Sequence, residues 1–534
     1  MRIFSLLWIV FTAVTIGIAA CVTPYRSVPF QNVNGKRFQE PTFGDLSSLT
    51  LREDIDRLIL GAGEQILTLS SKNVTKKTGQ VSWESSSEAK SNCQTKGKSR
   101  EKCKNFITAA YTLKSGKMLV CGTNAFSPSC DYMTVTDETI SLDGNQMSVK
   151  GTIPFDPSDR FASLMNDDTL FSATSANFLG TEMVFQKHGP KPGQNAIKTE
   201  MKQSLLSEPN MISVNLVEAS KDSDNGEDDQ VFLFFTEKAM EQQPADLLVS
   251  RVARVCKSDL GGKKILQKKW SSFIKARLDC PFGDSSALMQ DVFLLKSQTN
   301  WKDSIFYATF TSNPQHSGAS SHSAVCAYRL SDINDVFAGR FLAETRTGGW
   351  VPYTGAVPSP RPGSCINDET RTAGFSSSLD LPDNYMTFVI KHPLMEGVVT
   401  PIGGKPLLVQ SSRKFSKIVV DQVTSPKGQQ HQMLLIGTET VIQYLVQVQD
   451  TCNLAPVQET STPVVLVQDA STLVVPIQDT TTRVPVQDNR TLVRTLTGAL
   501  ITLVVFTGLV LIFTLLMFHH LKSRNQGNSE DSPV

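Results

Sequence analysis

The stretch that decides the fold runs from Leu119 to Met133 and reads L-V-C-G-T-N-A-F-S-P-S-C-D-Y-M. An apolar run that ends at Val120 leads into it, which predicts a strand. Cys121 and Cys130 then enclose small and turn-forming residues, and in an oxidising compartment this pair would form a tight local disulfide. The C-x8-C spacing is weak evidence by itself, whereas the whole string between the two cysteines is specific.

The composition is that of an ordinary globular protein. The chain has 534 residues, of which 19% are charged and 40% are hydrophobic, and its formal net charge is +1. This near neutrality, together with the lack of a dense basic stripe with interleaved aromatic residues, argues against a nucleic-acid partner.

Both ends of the sequence carry apolar segments. Residues 1–21 contain one positive charge followed by an apolar run and small residues, which predicts a signal peptide. The alternatives are an uncleaved signal anchor and a bacterial lipoprotein signal at Cys21. Residues 496–518 carry no charge and are long enough to cross a bilayer as a helix. We therefore expect a type I membrane protein with a cytoplasmic tail at residues 519–534.

The cysteines and the glycosylation motifs fit an exported protein. Eight of the ten cysteines form an even set in the middle of the chain, which predicts disulfides. Zinc is the competing interpretation, but no C-x2-C pair occurs and the histidines lie apart from the cysteines, so we expect no metal. The N-x-T motifs at Asn73 and Asn489 predict N-glycosylation.

Residues 22–450 and residues 451–495 differ in pattern. The first range contains many short runs rich in Val, Ile, Leu and Phe that turn residues separate, which predicts an all-β sandwich or propeller. The second range contains a degenerate ten-residue repeat with Val-Gln or Ile-Gln, proline and threonine. This composition predicts an extended stalk, and a β-solenoid is the alternative.

The string between Cys121 and Cys130 resembles the signature of the sema domain, the large β-propeller of semaphorins. Other strings resemble the family in the same order along the chain: Cys93 to Ile107, Leu170 to Gly180, Ser250 to Gly262, Lys269 to Cys280 and Ser323 to Leu330. The pattern is most similar to the transmembrane class-4 semaphorins. The resemblance implies an all-β fold, a sema-type β-propeller that has seven blades in the family, followed here by one transmembrane helix.

The resemblance also implies a disulfide pairing and shows where the chain departs from the family. The implied pairs are Cys93–Cys103, Cys121–Cys130, Cys256–Cys365 and Cys280–Cys326. Most of the last blade, the cysteine-rich PSI module and the immunoglobulin domain are missing, so the sema domain at residues 22–450 is expected to be truncated. The N-terminal strand, which completes the last blade in the family, should then lose its sheet. Either six blades close the ring, or a cleft remains, or the sequence derives from a truncated transcript or gene model.

No enzyme motif supports a catalytic function, and no cofactor is expected. The sequence contains no G-x-S-x-G, H-E-x-x-H or P-loop string. The acidic stretch from Lys221 to Asp229 does not follow the EF-hand rule and predicts a solvated loop. Four lysines, Lys263, Lys264, Lys268 and Lys269, predict either a solvated face or a contact with a glycan or receptor.

The resemblance implies a cell-surface ligand at the plasma membrane, with an extracellular ectodomain that binds a plexin receptor through the propeller. Such a ligand would regulate axon guidance, cell migration or immune signalling, as a homodimer or paired with another semaphorin. The alternatives are a truncated decoy that does not signal, a non-productive form, and, remotely, an extracellular propeller hydrolase. At the C-terminus, Ser532 and Val534 fit a PDZ ligand, with an inert tail as the alternative.

Overall fold

The computed structural model describes residues 25–29, 35–136, 139–189, 196–242, 247–282, 287–315, 322–411, 413–424, 428, 430–438, 441–447, 466–469 and 472–476. The chain divides into two compact units, and the residues of the sheets belong to the unit Ser27–Thr482, apart from Tyr25 and Arg26. The other unit, Met1–Arg26 with Arg483–Val534, is described only at Tyr25 and Arg26. None of the helices in the described ranges is both long enough and apolar enough to cross a membrane. The predicted membrane segment, residues 496–518, lies outside those ranges.

The first three sheets are built from strands that follow one another along the chain and pair antiparallel. Sheet 1 contains β3 (Ser48–Arg52), β4 (Arg57–Gly61), β5 (Gln65–Ser70) and β6 (Lys77–Ser82). Sheet 2 contains β7 (Ile107–Thr112), β8 (Met118–Gly122), β9 (Ser129–Val135), β10 (Ile140–Leu142) and β11 (Met147–Ser148). Sheet 3 contains β12 (Ala162–Asn166), β13 (Thr169–Ser175), β14 (Met183–His188) and β15 (Ile197–Lys198).

Each of the next three sheets adds a strand from a distant part of the sequence. Sheet 4 contains β16 (Asn210–Val217), β17 (Gln230–Lys238), β18 (Leu248–Cys256), β19 (Ile274–Leu278) and, parallel to β19, β25 (Leu394–Val399). Sheet 5 contains β20 (Ala287–Leu295), β21 (Ile305–Ser312), β22 (His322–Arg329) and β26 (Leu408–Ser411). Sheet 6 contains β27 (Phe415–Thr424), β28 (Gln430–Thr438), β29 (Val441–Gln447) and, at its other edge, β1 (Tyr25–Pro29).

The first strands of neighbouring sheets contact one another. Strand β3 contacts β7, β12 contacts β16, β16 contacts β20, and β20 contacts β27. Up-and-down sheets that meet through their first strands surround a common axis, which is the arrangement of a β-propeller. The predicted all-β propeller is therefore confirmed for the described part of the chain.

Strand β17 shows why the sheets stack. Its first eight residues are buried, and its side chains alternate between two neighbouring sheets. Phe232 and Phe234 pack in one apolar cluster with Phe306 of sheet 5, whereas Leu233 and Phe235 pack in another cluster that includes Phe185 of sheet 3. Because successive residues of a strand point to opposite faces, one apolar run joins three sheets.

The helices lie in connections between strands, and residues 330–407 form an insertion between β22 and β26. The α-helices are α1 (Ser87–Thr95), α2 (Leu330–Ala338), α3 (Asp368–Thr372) and α4 (Asp383–Lys391). Short 3-10 helices occur at Glu53–Ile55, Ala219–Asp222, Trp301–Asp303, Ser378–Asp380 and Ile402–Gly404. The insertion also contains a separate hairpin of β23 (Leu342–Glu344) and β24 (Trp350–Pro352), besides strand β25. The disulfide Cys256–Cys365 ties this insertion to the end of β18.

A seventh sheet has three strands, in the order β2 (Gly35–Gln39), β31 (Thr472–Pro476) and β30 (Leu466–Asp469). Strand β2 pairs antiparallel with β31, with Gly35 opposite Pro476 and Gln39 opposite Thr472. The expectation that the N-terminal strand loses its sheet is therefore wrong, because β1 joins sheet 6 and β2 joins sheet 7. Strands β30 and β31 lie within residues 451–495, where the repeat predicted an extended stalk. Their sequences are rich in Val, Leu and Thr, which favour strands when a partner edge is present.

Candidate partner-binding surface

The turn between β8 and β9 has an uncommon backbone conformation. Asn124, Ala125 and Phe126 have φ angles of 41°, 53° and 60°, in the left-handed region that residues other than glycine seldom adopt. Hydrogen bonds hold the turn: the Asn124 amide donates to Asn105 Oδ1 at 2.9 Å, and the Ala125 amide donates to the carbonyl oxygen of Lys104 at 3.0 Å. The stretch that identified the fold thus fixes Phe126 beside the segment that contains Lys104.

Gly122 allows Asn105 to reach this turn. A Cβ atom added to Gly122 would lie 2.1 Å from Asn105 Oδ1, and Asn105 is fully buried. We expect Gly122→Ala to lower the free energy of unfolding by about 1–3 kcal/mol, because it displaces a buried and hydrogen-bonded side chain. Thermal unfolding of the full chain in detergent measures the effect. Gly63→Ala is the control, since its Cβ would lie 3.7 Å from Phe106, and equal melting temperatures would contradict the prediction.

Helix α1 leads into a loop that a disulfide closes. The Ser86 side chain caps the helix by accepting a hydrogen bond from the Ala89 amide at 3.1 Å. The helix ends before Gly97, whose φ angle is 86°. Near the helix end, Cys93 forms a disulfide with Cys103, so the chain between them returns towards β7. Residues 96–104 carry a basic side chain at every second position: Lys96, Lys98, Arg100, Lys102 and Lys104.

Three phenylalanines lie under this loop. The ring centroids of Phe126 and Phe178 are 5.4 Å apart, and those of Phe155 and Phe178 are 6.4 Å apart. Lys98 Nζ lies 4.6 Å from the centroid of Phe126, and Lys96 Nζ lies 5.3 Å from that of Phe178. Cation–π attraction at these distances holds the two ammonium groups over the aromatic rings.

Asp156 orients the inner lysines of the loop. Its carboxylate lies 3.0 Å from Lys102 Nζ and 3.8 Å from Lys98 Nζ. Partial burial opposes ionisation of Asp156, but the hydrogen bond from the Ser158 amide and the Lys102 ammonium outweigh it, so the pKa lies below its usual value. The carboxylate is therefore charged at neutral pH, and it compensates only part of the positive charge of the loop.

The turn between β13 and β14 adds an exposed apolar side chain. Leu179 is 77% exposed, next to Phe178 in the aromatic cluster. Asn177 fixes the turn, since its side chain donates to Thr181 Oγ1 at 2.8 Å and accepts from the Thr181 amide at 3.0 Å. We call residues 96–104 with Phe126, Phe155, Phe178 and Leu179 the basic–aromatic surface. An apolar side chain on a rigid turn beside several cations is suited to bind an acidic protein surface.

One cavity, about 350 Å³ in volume, lies between the first strands of sheets 3, 4 and 5. Glu218 is the one carboxylate among the residues that line it, and it forms ion pairs with Lys221 at 2.7 Å and Lys296 at 2.9 Å. These hydrogen bonds lower the pKa of Glu218 to about 2. Because glycoside hydrolysis generally uses two carboxyl groups, the cavity does not support the hydrolase alternative.

Comparison with known proteins identifies the family. The profile of the Sema domain matches residues 289–465. Semaphorin-4D of Homo sapiens is 38% identical over 439 residues, which are 80% of this chain and 50% of the relative. Semaphorin-4C of Mus musculus is 39% identical over 410 residues, which are 76% of this chain and 48% of the relative. The chain carries Sema-domain sequence and is similar to these semaphorins over most of its length. It spans about half the length of these semaphorin relatives.

Solved semaphorin structures share the fold. Drosophila Semaphorin 1a, extracellular domains 1-2, superposes with a TM-score of 0.68 at 27% identity and covers 83% of this chain and 88% of that chain. A chain of the complex of Drosophila Plexin A with Semaphorin 1b superposes with a TM-score of 0.67 at 25% identity and covers 83% and 88%. The prediction of a class-4-like semaphorin rather than an enzyme agrees with these relatives, all of which are named as semaphorins or as a semaphorin complex.

The structure contains the four disulfides that the semaphorin resemblance implies: Cys93–Cys103, Cys121–Cys130, Cys256–Cys365 and Cys280–Cys326. Among the described residues, one group could offer three metal-ligating atoms, Asp228 with Cys256 and Cys365, but its cysteines form a disulfide. Asn73 lies in the turn between β5 and β6, where its Oδ1 accepts a hydrogen bond from Thr75 Oγ1 at 2.9 Å. Asn489, Ser532 and Val534 lie outside the described residues.

Sequence reasoning did not find the basic–aromatic surface. The alternation of basic residues from Lys96 to Lys104 is visible in the sequence, but within the sequence it is only one part of a string that resembles the family. The neighbourhood of this loop and Leu179 depends on the packing of sheets 1, 2 and 3, so no local pattern could reveal it.

Proposed function

We propose that this chain is a cell-surface semaphorin that binds a plexin receptor through the basic–aromatic surface. The observation that carries the proposal is the position of the 77%-exposed Leu179 beside the loop that holds five basic residues. The semaphorin complex with Drosophila Plexin A supports the class of partner, because a chain of that complex has the same fold.

The charges and the rigidity of the surface favour a protein partner. Lys96 and Arg100 are exposed, so they can guide an acidic surface during encounter without first leaving an internal ion pair. Leu179 can then enter an apolar pocket of the partner. Because the turn that carries Leu179 is already fixed, little conformational entropy is lost on binding. Protein–protein interfaces commonly place such an apolar anchor at the centre, with charged groups around it.

We expect Leu179→Asp to weaken plexin binding about tenfold or more, since it removes the anchor and adds a charge of the same sign as the partner. Lys96→Glu with Arg100→Glu is expected to slow association and to reduce the dependence of binding on salt. The measurement uses cells that display the full chain with an extracellular tag, and it titrates soluble ectodomains of several plexins. Surface staining of the tag normalises the expression of each variant.

The matched control combines Val357→Asp with Lys405→Glu, which makes the same kinds of change at exposed positions elsewhere. This control should bind plexin as the unchanged chain does. Equal binding by Leu179→Asp would exclude the basic–aromatic surface, and surface display without binding to any plexin would contradict the proposed function. Binding without a collapse or migration response in plexin-bearing cells would instead favour the decoy.

The attachment and the assembly of the protein are part of the same proposal. Residues 1–21 would direct export, residues 496–518 would hold the protein in the plasma membrane, and the tail with Ser532 and Val534 would bind a PDZ domain. The paired cysteines support export, since structural disulfides persist in oxidising compartments. The proposal also includes a homodimer or a heterodimer with another semaphorin, and the support for these dimers is the similarity to semaphorins alone.

A further inference from the structure

A second basic region lies away from the basic–aromatic surface and has no part in the proposed plexin contact. It draws on three segments of the chain: residues 198–202, the connection from β18 to β19, and the end of α4. We call it the lysine patch, and it consists of Lys198, Lys202, Lys263, Lys264, Lys268, Lys269 and Lys391.

Backbone contacts hold the three segments together. The Lys198 amide donates to the carbonyl oxygen of Lys268 at 3.2 Å, and the Trp270 amide donates to the carbonyl oxygen of Lys198 at 3.0 Å. Lys202 Nζ donates to the carbonyl oxygen of Ile390 at 3.3 Å, which connects the first segment to the end of α4. The lysines therefore share one surface whose spacing the backbone fixes.

The connection between β18 and β19 places its apolar and charged residues on opposite sides. Ile265 and Leu266 pack against an apolar cluster that includes Met386 and Val389 of α4. Lys263, Lys264 and Lys268 are exposed. From Lys263 to Lys268 the connection thus presents ammonium groups with no exposed large apolar side chain among them, whereas Leu260 and Met201 in the neighbouring parts of the patch segments are 48% and 45% exposed. The stretch from Lys263 to Lys268 favours a hydrophilic ligand over insertion into a bilayer.

Negative charge near the patch is scarce in the described part of the chain. Glu200 forms an ion pair with Lys269 at 3.5 Å, and no other lysine of the patch has an ion pair with a described residue. The carboxylate of Asp259 is buried and accepts hydrogen bonds from the amides and hydroxyl groups of Ser271 and Ser272. Asp383 lies at the other end of α4, roughly 12 Å along the helix from Lys391.

The local charge also affects a neighbouring histidine. The pKa of His392 lies below its usual value, chiefly because of burial, and Lys391 and Lys202 lower it further. The formal charge of the whole chain is only +1, so the positive charge of the patch reflects the local arrangement of the lysines and not an overall excess of basic residues.

We infer that the lysine patch binds a sulfated polysaccharide. Its flat, exposed set of ammonium groups suits an extended chain with many anionic groups, because each lysine acts as a separate, hydrated point charge. Four disulfides indicate an oxidising compartment, where nucleic acids and inositol phosphates are not the expected polyanions. Sulfated glycosaminoglycans are the polyanions of the cell surface and the extracellular matrix.

Lys263, Lys264 and Lys268 of the patch lie at the opposite end of the sheets from the basic–aromatic surface. The connections β6–β7 and β13–β14, which carry the basic–aromatic surface, follow a fourth and a second strand of a sheet. The connection β18–β19 follows a third strand. Strands alternate in direction within an up-and-down sheet, so these two kinds of connection open at opposite ends. A polysaccharide bound to these three lysines would therefore leave the proposed plexin contact accessible.

The test measures retention of the full chain, purified in non-ionic detergent, on immobilised heparin. The triple variant Lys263→Glu, Lys264→Glu and Lys268→Glu is expected to bind about tenfold more weakly, or worse, than the unchanged chain. The triple variant with glutamine at the same positions should show a smaller loss. The matched control changes Lys76, Lys405 and Lys414, which are exposed elsewhere, to glutamate, and it should elute at nearly the salt concentration of the unchanged chain.

Soluble competitors identify the ligand chemistry. Heparin should release the protein, whereas hyaluronan, which carries carboxylates without sulfates, should release far less. Equal elution of the patch variant and the control, or equal competition by hyaluronan, would overturn the inference. Stronger competition by vesicles of phosphatidylserine would overturn it in favour of a lipid surface. Plexin binding of the patch variant should be unchanged, so this test and the test of the proposed function can fail separately.

Discussion

Arg251→Ala is expected to lower the free energy of unfolding by about 3–5 kcal/mol, because it breaks a buried group of charges in sheet 4. Arg251 and Glu237 are each 1% exposed, and Arg251 Nε lies 2.9 Å from Glu237 Oε1. Arg251 Nη2 lies 2.6 Å from Glu241 Oε1, and Lys275 Nζ lies 2.5 Å from Glu237 Oε1. Without the arginine, two carboxylates share one ammonium group in a water-poor interior.

The same group of charges predicts a dependence on pH. Burial raises the pKa of Glu241, but Arg251 outweighs burial and holds it below its usual value. A carboxyl group whose pKa is lower in the folded state adds stability at neutral pH, and this stability is lost as the pH falls through the folded-state pKa. Arg251→Ala should therefore lose less stability at acidic pH than at pH 7.

Thermal unfolding of the full chain in detergent, together with surface display on cells, measures the effect of Arg251→Ala. Lys238→Ala is the control, since Lys238 lies on the same strand as Glu237 but forms an exposed ion pair with Glu208 at 2.8 Å. This change is expected to cost less than about 1 kcal/mol. Similar melting temperatures for the two variants would show that the buried charges contribute no more than exposed ones.

Trp270→Ala is expected to lower the free energy of unfolding by about 3–5 kcal/mol, because it empties the space between sheets 3 and 4. Trp270 is 1% exposed, and its ring lies 5.6 Å from that of Phe185 and 6.5 Å from that of Phe171. Its Nε1 also donates to the carbonyl oxygen of Phe185 at 2.8 Å. The alanine variant loses the apolar contacts and leaves this buried carbonyl without its donor.

A conservative variant separates the two contributions of Trp270. Trp270→Phe keeps an aromatic ring beside Phe171 and Phe185 but loses the hydrogen bond, so we expect a loss of about 1–2 kcal/mol. The melting temperature should fall in the order tryptophan, phenylalanine, alanine. Equal stability of the alanine and phenylalanine variants would mean that ring packing contributes little, contrary to the prediction.

Much of the fold could be predicted because its signals are local in the sequence. Cys121 and Cys130 lie opposite each other on β8 and β9, so the sequence between them belongs to a single hairpin. The short apolar runs predicted sheets, and β17 is such a run with both faces buried. The pairing of Cys256 with Cys365 came from the family resemblance, since many pairings were open from spacing alone.

The basic–aromatic surface and the seventh sheet could not be predicted in the same way. Lys96 lies over the ring of Phe178, the neighbour of Leu179 in sequence, only because sheets 1, 2 and 3 stack around one axis. Strands β30 and β31 lie in a repeat that is rich in proline and threonine. Such a composition predicts an extended linker, and it forms strands only where the edge of another strand is available for pairing. For β31 that edge is β2, which lies near the other end of the sequence.

The pairing of β2 with β31 has a consequence for biosynthesis. Strand β2 is translated before its partner in the sheet, and the two strands are about 440 residues apart along the chain. At typical rates of translation this interval is on the order of tens of seconds. During that time the edge of β2 has no partner from its own sheet, while sheets 1 to 6 can form in order behind it. Sheet 7 therefore forms only after β31 has been translated, and an interruption before that point leaves the edge of β2 available to other chains.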